Sequence, residues 1–316
     1  VNSRQFATTG AVTAGDGYGF TAGTERVCMD ERAVLSKLAT YLPDAGDDAA
    51  VVDDLVITTD MLHESTDFPD GTTRYTAGWR AVGASLSDIA AMGAKGVASV
   101  AVYAAPSFRW EEISSFVDGA QAVCASGDAA YVGGDLDNHE EFTVVSTAIG
   151  RTDNPVFRTG ATPGDIVCVT GRLGRTGAAC EYFARGDVDR GNELFQFQPR
   201  LAAGQSLARY ATALMDSSDG LARSLHQLAE ASDCGFAIES PLPYTEMFEE
   251  LGLDSEQQRE YGVFFGEDFE LVCTLPAEKV DNAQADLSVS LTPIGTVTEQ
   301  GITLDGENLP DRGYTH

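Results

Sequence analysis

Lysine is almost missing from this chain. Only Lys37, Lys95 and Lys279 occur, and 20 basic residues in all face 49 acidic ones, for a formal net charge of -29. Nucleic acid demands a basic footprint, so it is excluded as a partner. The six cysteines (Cys28, Cys124, Cys168, Cys180, Cys234 and Cys273) form no CxxC pair, which argues against a zinc or redox motif and for small core residues. No apolar run approaches the roughly 18 residues of a membrane span, and no charged-then-apolar leader opens the chain. A cytoplasmic protein without a membrane partner is therefore expected. The four histidines (His63, His139, His226 and His316) show no metal-ligand spacing. There is no GxxxxGK[ST] phosphate loop, no HRD and DFG pair and no GxSxG elbow. A lysine-poor protein that handles phosphates must neutralise them mostly with metal, and a transfer without a protein nucleophile fits best.

What is abundant is acid. Many carboxylates with few lysines resemble the cytosolic proteins of halophiles, whose acidic surfaces keep them soluble in high salt. At 316 residues, 43% of them hydrophobic, the chain is long enough for two globular domains. Residues 1–28 differ from the rest: Asp16 and Glu25 balance Arg4 and Arg26, periodicity is lacking, and "GDGYGF" (15–20) has neither the strand nor the helix of a dinucleotide loop. They are expected to be a disordered extension or a mis-assigned start, with Met29 opening a helix through Val34, Leu35, Leu38 and Leu42. Strands are then expected over 51–59, 97–103 and 141–150, with helices over 74–92 and 110–126 between them. The turn-rich stretch 152–165 separates an N-terminal domain, 29–150, from a C-terminal one, 151–316. In the latter, a strand at 165–170 and helices at 175–185, 199–213 and 220–231 precede strands near 234–239, 268–275 and 293–298. Interleaved elements of this kind indicate an α/β or α+β chain.

Five acid-bearing clusters end apolar elements: "GDDAAVV" (46–52), "ITTDML" (57–62), "SLSDIAAMG" (85–93), "GGDLDN" (133–138) and "MDSSDGLA" (215–222). Carboxylates serving only a halophilic surface belong on outer faces. These adjoin glycine and small residues, where a backbone can approach a ligand closely. Oxygen-only ligands without histidines suit Mg²⁺, which keeps waters and phosphate oxygens as its other ligands. Bland alternatives stand beside each residue: Asp216 and Asp219 as caps of the helix from 220, Asp88 facing solvent, Arg158 in a surface ion pair, Glu267 as halophilic surface, Thr58 and Thr59 as ordinary strand residues.

Seven motifs, "GDDAAV", "TTDML", "LSDIAAMGA", "GGD", "RTGATPGD", "DSSDGL" and "GEDFEL", occur in an order and spacing that resemble the thiamine-monophosphate kinase family of the PurM-like ATP-binding superfamily. The resemblance covers about residues 30–314. It implies a PurM-like α+β fold, with an N-terminal α+β domain that forms a β-barrel across a homodimer and a C-terminal αβ sandwich. It also implies Mg²⁺-dependent transfer of the ATP γ-phosphate to thiamine monophosphate, and, with this composition, a member from a halophilic archaeon. Position by position, it implies that Asp48, Thr58, Thr59, Asp60, Asp88, Asp135, Asp216 and Asp219 hold metal ions. Gly134, Asp135, Arg158 and Ser218 would contact ATP, and Glu267 the acceptor. Asp67 stands where many members carry a substrate-contacting His and would face a thiazolium's positive charge. Asp311 replaces an aromatic near the C-terminus, while Tyr314 is kept as a further acceptor contact.

Three other readings compete. An aminoimidazole ribonucleotide synthetase usually continues "GGE", where this chain has "GGDLD". A selenophosphate synthetase needs a reactive N-terminal Cys or selenocysteine loop, and Cys28 lacks one. The third is a non-catalytic, acidic Mg²⁺- and nucleotide-binding protein, which would show no acceptor-dependent ADP release.

Overall fold

The stretch expected as one strand over 51–59 is a hairpin. β1 (Ala50–Val52) and β2 (Leu55–His63) pair antiparallel around Asp53 and Asp54. Asp53 takes a left-handed backbone, φ 57°, which Asp tolerates better than most residues, so these two acids serve the turn. The computed structural model describes residues 45–314, together with Val34, Lys37, Leu38, Thr40, Tyr41 and Leu42. The expected extension 1–28 lies outside the described residues, as does Leu35 of the expected helix from Met29.

Helix α1 (Arg74–Ala91) and helix α2 (Trp110–Ser126) follow the expected periodicity, with β3 (Lys95–Ala105) between them. β4 (Ala130–Asn138) was not expected, because paired glycines and acids hide its strand character. With β5 (Thr143–Arg151) these strands form a sheet in the order β1-β2-β5-β3-β4, antiparallel except where β4 runs parallel to β3. The helices cover one face of it.

The second half begins with β6 (Ile166–Thr170), α3 (Arg175–Ala184) and α4 (Val188–Phe195). The helix expected over 199–213 is shorter. α5 spans Leu201–Leu207, and the chain returns as β7 (Ala213–Asp216), all four residues buried. A short apolar run reads as helix or strand alike, and pairing with β9 (Leu271–Leu275) makes it a strand. Helix α6 (Leu221–Ser232), β8 (Gly235–Ile238), β10 (Leu291–Thr298), β11 (Ile302–Leu304) and β12 (Glu307–Asn308) complete a seven-stranded mixed sheet, ordered β12-β11-β8-β10-β6-β9-β7.

α1 is the element both halves share. Fourteen of its 18 residues are buried, and one apolar cluster joins its Leu86 and Ile89 to Leu201 and Leu207 of α5 and to Cys273 and Leu275 of β9. Its burial against both sheets is what lets one helix carry residues of two subsites.

Candidate active site

Four acids from distant parts of the sequence converge at one end of α1. Asp88 comes from α1 itself, Asp216 from the end of β7, Asp60 from β2 and Asp48 from the loop before β1. One carboxylate oxygen from each of Asp48, Asp88 and Asp216 lies within 4.8 Å of the others. Hydroxyls orient them: Thr58 Oγ1 donates to Asp88 Oδ2 at 2.5 Å, Ser87 Oγ to Asp216 Oδ2 at 2.5 Å and Ser85 Oγ to Asp60 Oδ2 at 2.6 Å. Arg158 closes the group with Nη2 on Asp48 Oδ1 at 2.8 Å, while its backbone N–H donates to Asp47 at 3.0 Å.

Crowding has an electrostatic consequence. Burial, then the neighbouring Asp60, Asp216 and Asp48, push the Asp88 carboxyl well above its ordinary range. Burial and Asp48 raise Asp216 to about 8, and burial and Asp48 raise Asp47 to about 6. Burial opposes the Arg158 cation, yet Asp48, Asp47 and Asp216 hold its pKa above normal. An all-oxygen set whose members resist ionising beside one another fits a hard divalent cation, and Mg²⁺ suits it. The bland alternatives do not describe Asp88, Asp216 or Arg158. Asp88 faces the cluster rather than solvent, α6 has no side-chain cap among the described residues, and Arg158 pairs with an Asp48 side chain that is only 1% exposed.

Thr59 and Asp135 are not brought to this cluster. Register places Asp60, Ser146, Ala101 and Gly134 in one row across the sheet, and Met61, Val145, Val102 and Asp135 in the next, on the opposite face. Thr59 Oγ1 bonds the Ser146 carbonyl at 2.9 Å on that outer side. Asp135 is also three strands from Asp60, roughly 14 Å at the usual strand spacing. Gly134 and Asp135 instead line a cavity of about 380 Å³ between α2 and β4, with Tyr103, Phe116, Val117 and Tyr131. An added Cβ at Gly134 would lie 1.7 Å from the Ala101 carbonyl oxygen, so only glycine fits. Ser218 and Asp219 lie on the loop after β7, where the Asp219 carbonyl accepts the Tyr314 N–H at 3.0 Å.

A second cavity, of about 310 Å³, brings Asp67, Glu267 and Tyr314 together, with Thr176, Phe195 and Phe265 among its walls. Asp67 Oδ2 accepts from the His63 N–H and the Thr66 hydroxyl, both at 2.7 Å, and Tyr314 Oη reaches Asp67 Oδ1 at 3.3 Å. Asp311 pairs with Arg223 at 2.8 Å and does not line this cavity. The two sites touch through the backbone, because the Glu267 N–H donates to the Ser218 carbonyl at 2.5 Å.

Sequence reasoning passed over Ser85, Ser87, Asp47 and Arg80. "SLSD" holds a signal for the serines, since Ser85 stands three residues before Asp88 and shares its helix face. Arg80 is the charged residue inside the otherwise small and apolar run "AGWRAVGASL", and burying it demands a partner.

Two family models match the chain: AIR synthase related protein, N-terminal domain, over residues 46–152, and AIR synthase related protein, C-terminal domain, over 162–306. The thiamine-monophosphate kinase of Halobacterium salinarum is 56% identical over 91% of this chain and all of its own length. That of Methanospirillum hungatei is 41% identical over 91% and 99%. Among solved structures, AaThiL complexed with AMPPCP and TMP superposes with a TM-score of 0.84 at 26% identity, covering 94% of this chain and all of that one. The fold is thus PurM-like, α+β, with two mixed sheets. Both domain models are matched in order and the nearer relatives align over almost their whole lengths, so the chain belongs to the thiamine-monophosphate kinase family, a family of kinases.

Proposed function

We propose that the protein transfers the γ-phosphate of ATP to thiamine monophosphate, giving thiamine diphosphate and ADP, in the cytoplasm. The observation that carries this reading is the junction of an acid cluster and a separate acidic pocket through the Ser218–Glu267 hydrogen bond, an arrangement that would suit a donor and an acceptor side by side. The comparison with a structure holding AMPPCP and TMP supports the same pair of ligands.

In this reading Asp48, Asp60, Asp88 and Asp216 hold Mg²⁺, with Thr58 keeping Asp88 aligned and Asp219 completing the set from its loop. The metal supplies positive charge over the transferring phosphoryl group, a charge that three lysines cannot supply. Arg158 is poised to exchange its bond to Asp48 for a phosphate oxygen, for which its planar fork is suited. Gly134 lets the backbone approach the nucleotide, whose flat base the cavity beside Tyr131 and Phe116 can take. Glu267, Asp67 and Tyr314 seat the acceptor. A phosphate oxygen of the acceptor then forms a bond to the γ-phosphorus while the β–γ bridging bond breaks and ADP leaves. That oxygen is already ionised near neutral pH, so positioning matters more than a general base.

A homodimer belongs to the proposal. Ile57, Met61, Val100 and Ile149 are exposed on the sheet face opposite α1, and a second copy would cover them. Thr59 and Asp135 look onto that face, so any part they take in metal binding runs across the dimer. We likewise propose a domain division near residue 151, between the two sheets.

The test is ADP release in high salt with Mg²⁺ and ATP, with and without thiamine monophosphate, and the product identified by mass. Thiamine diphosphate is expected. Acceptor-independent ADP release would send the reading to another PurM-like enzyme, and binding of Mg²⁺ and ATP without turnover to the non-catalytic alternative.

A further inference from the structure

Arg80 is 1% exposed, and its guanidinium lies 3.7 Å from the centre of the Phe195 ring. Nη1 donates to the Phe195 carbonyl at 2.9 Å. Nη2 donates to Glu267 twice, at 2.6 Å to Oε2 and at 3.1 Å to the backbone carbonyl. Thr176 Oγ1 donates to that same carbonyl at 2.7 Å. Glu267 is thereby gripped by side chain and backbone at once, in a left-handed conformation (φ 65°) that a glutamate seldom adopts unaided.

This grip is not what a stability argument would select. A buried ion pair seldom adds stability over an apolar replacement of similar volume. Here the Arg80 Nε also has no hydrogen-bond partner among the described residues, a further cost of burying the cation. What the pair does secure is direction. Oε2 is taken by Arg80, Oε1 accepts no hydrogen bond among the described residues, and the carboxylate lines the cavity beside Asp67 and Tyr314. Oε1 is the oxygen offered to a cationic ring or hydrogen-bond donor of the acceptor.

We propose that Arg80 is a positioning residue of the acceptor pocket, which fixes the Glu267 carboxylate for acceptor binding. The inference rests on the acceptor reading given above. Its place on α1 adds a geometric consequence: Asp88 lies eight residues along the same helix, roughly 12 Å at the helical rise, so one rigid element spaces the acceptor clamp from the acid cluster.

Steady-state kinetics of Arg80→Met, Arg80→Lys, Glu267→Gln and the Arg80→Met/Glu267→Gln double variant, in high salt with Mg²⁺, test it. Arg80→Met is expected to raise KM for thiamine monophosphate about tenfold or more, as loss of a supporting shell does, with Arg80→Lys recovering part of the loss. KM for ATP and kcat should stay within about twofold, and on the Glu267→Gln background the arginine change should add less than about twofold. An acceptor KM that does not move, a parallel fall in kcat and ATP affinity, or multiplying effects of the two changes would each overturn the role. If Arg80→Met does not fold, Thr176→Val, which removes only a hydroxyl from the grip, carries the same KM expectation on a smaller scale. Wild-type turnover separates the two readings: no thiamine diphosphate from the wild type sinks the acceptor assignment itself, whereas turnover with an unmoved Arg80→Met KM sinks only the role of Arg80.

Discussion

Asp88 and Asp216 are carboxyls that this fold holds close together at an electrostatic cost, and the single-residue consequences follow from that. Replacing Asp88 by Asn keeps an oxygen to accept the Thr58 hydroxyl, 2.5 Å away, but removes a buried acid that resists ionising beside its neighbours. The metal-free protein should therefore become more stable, by about 1 kcal/mol or roughly 2–4 °C in melting temperature. The same variant should lose the melting rise that Mg²⁺ is expected to give the wild type, and about a hundredfold or more in turnover. Thermal melts with and without Mg²⁺, read beside the ADP assay, check both halves; a variant destabilised without metal would contradict the picture of repelling acids. The pH dependence has the same origin. Asp216 is raised from 3.8 to about 8 and Asp47 from 3.8 to about 6, so between those values the folded chain binds more protons than the unfolded one. Stability of the metal-free protein should then fall as pH rises from about 4 to about 8. Mg²⁺ bound as proposed would displace those protons, so its stabilising effect should grow across the same window. Melts at fixed high salt from pH 5 to 8.5 would refute this if the metal-free curve climbed.

At the scale of elements, α1 decides the architecture, and its seat against α2 depends on two reciprocal glycines. A Cβ at Gly78 would lie 2.1 Å from the Phe116 carbonyl oxygen, and one at Gly119 would lie 2.0 Å from that of Tyr75. Alanine has the better helix propensity by about 1 kcal/mol, yet neither backbone carbonyl can move aside without parting the helices. Gly78→Ala should therefore cost about 1–3 kcal/mol net, seen as a lower denaturation midpoint in high salt; an unchanged midpoint would show that the helices can shift cheaply. α1 and α2 were legible in the sequence because long amphipathic runs leave a period of 3.6. β4 and β7 were not: "GGDLDN" looks like a loop, and "ALMD" is too short to show any period, so sheet pairing alone defines them. The acids of the cluster were legible for a different reason. Asp48, Asp60, Asp88 and Asp216 each stand beside or within an apolar stretch, where a solvated carboxylate has no need to be. The side of the sheet on which Thr59 and Asp135 fall was not, since one residue of register reverses it. Nor did spacing alone reveal the grip on Glu267, whose partners Arg80 and Thr176 lie 187 and 91 residues away.

On the scale of the whole molecule, a net charge of -29 sets the terms on which two copies can meet. Pairing the exposed face of Ile57, Met61, Val100 and Ile149 buries apolar area, but it also brings together two strongly acidic bodies. At 0.1 M salt the screening length is about 10 Å, long enough for these charges to act across an interface; near 1 M it is about 3 Å, and the repulsion is confined to direct neighbours. Apolar burial also strengthens in salts excluded from protein surfaces. The proposed dimer and the fold should thus both gain from salt. Sedimentation in about 2 M KCl should give two copies per particle and in about 0.1 M KCl a shift towards one, with a parallel fall in melting temperature. Met61→Lys, which puts a charge in the middle of the face, should stay monomeric at either salt while keeping its helical content. Its turnover then says whether the pairing matters to the chemistry. Asp135 looks onto the same face, so a monomeric variant should lose most of its activity if Asp135 serves a metal across the interface. A monomer as active as the wild type would confine the working site to one chain, and leave Asp135 to the cavity beside Tyr131 alone.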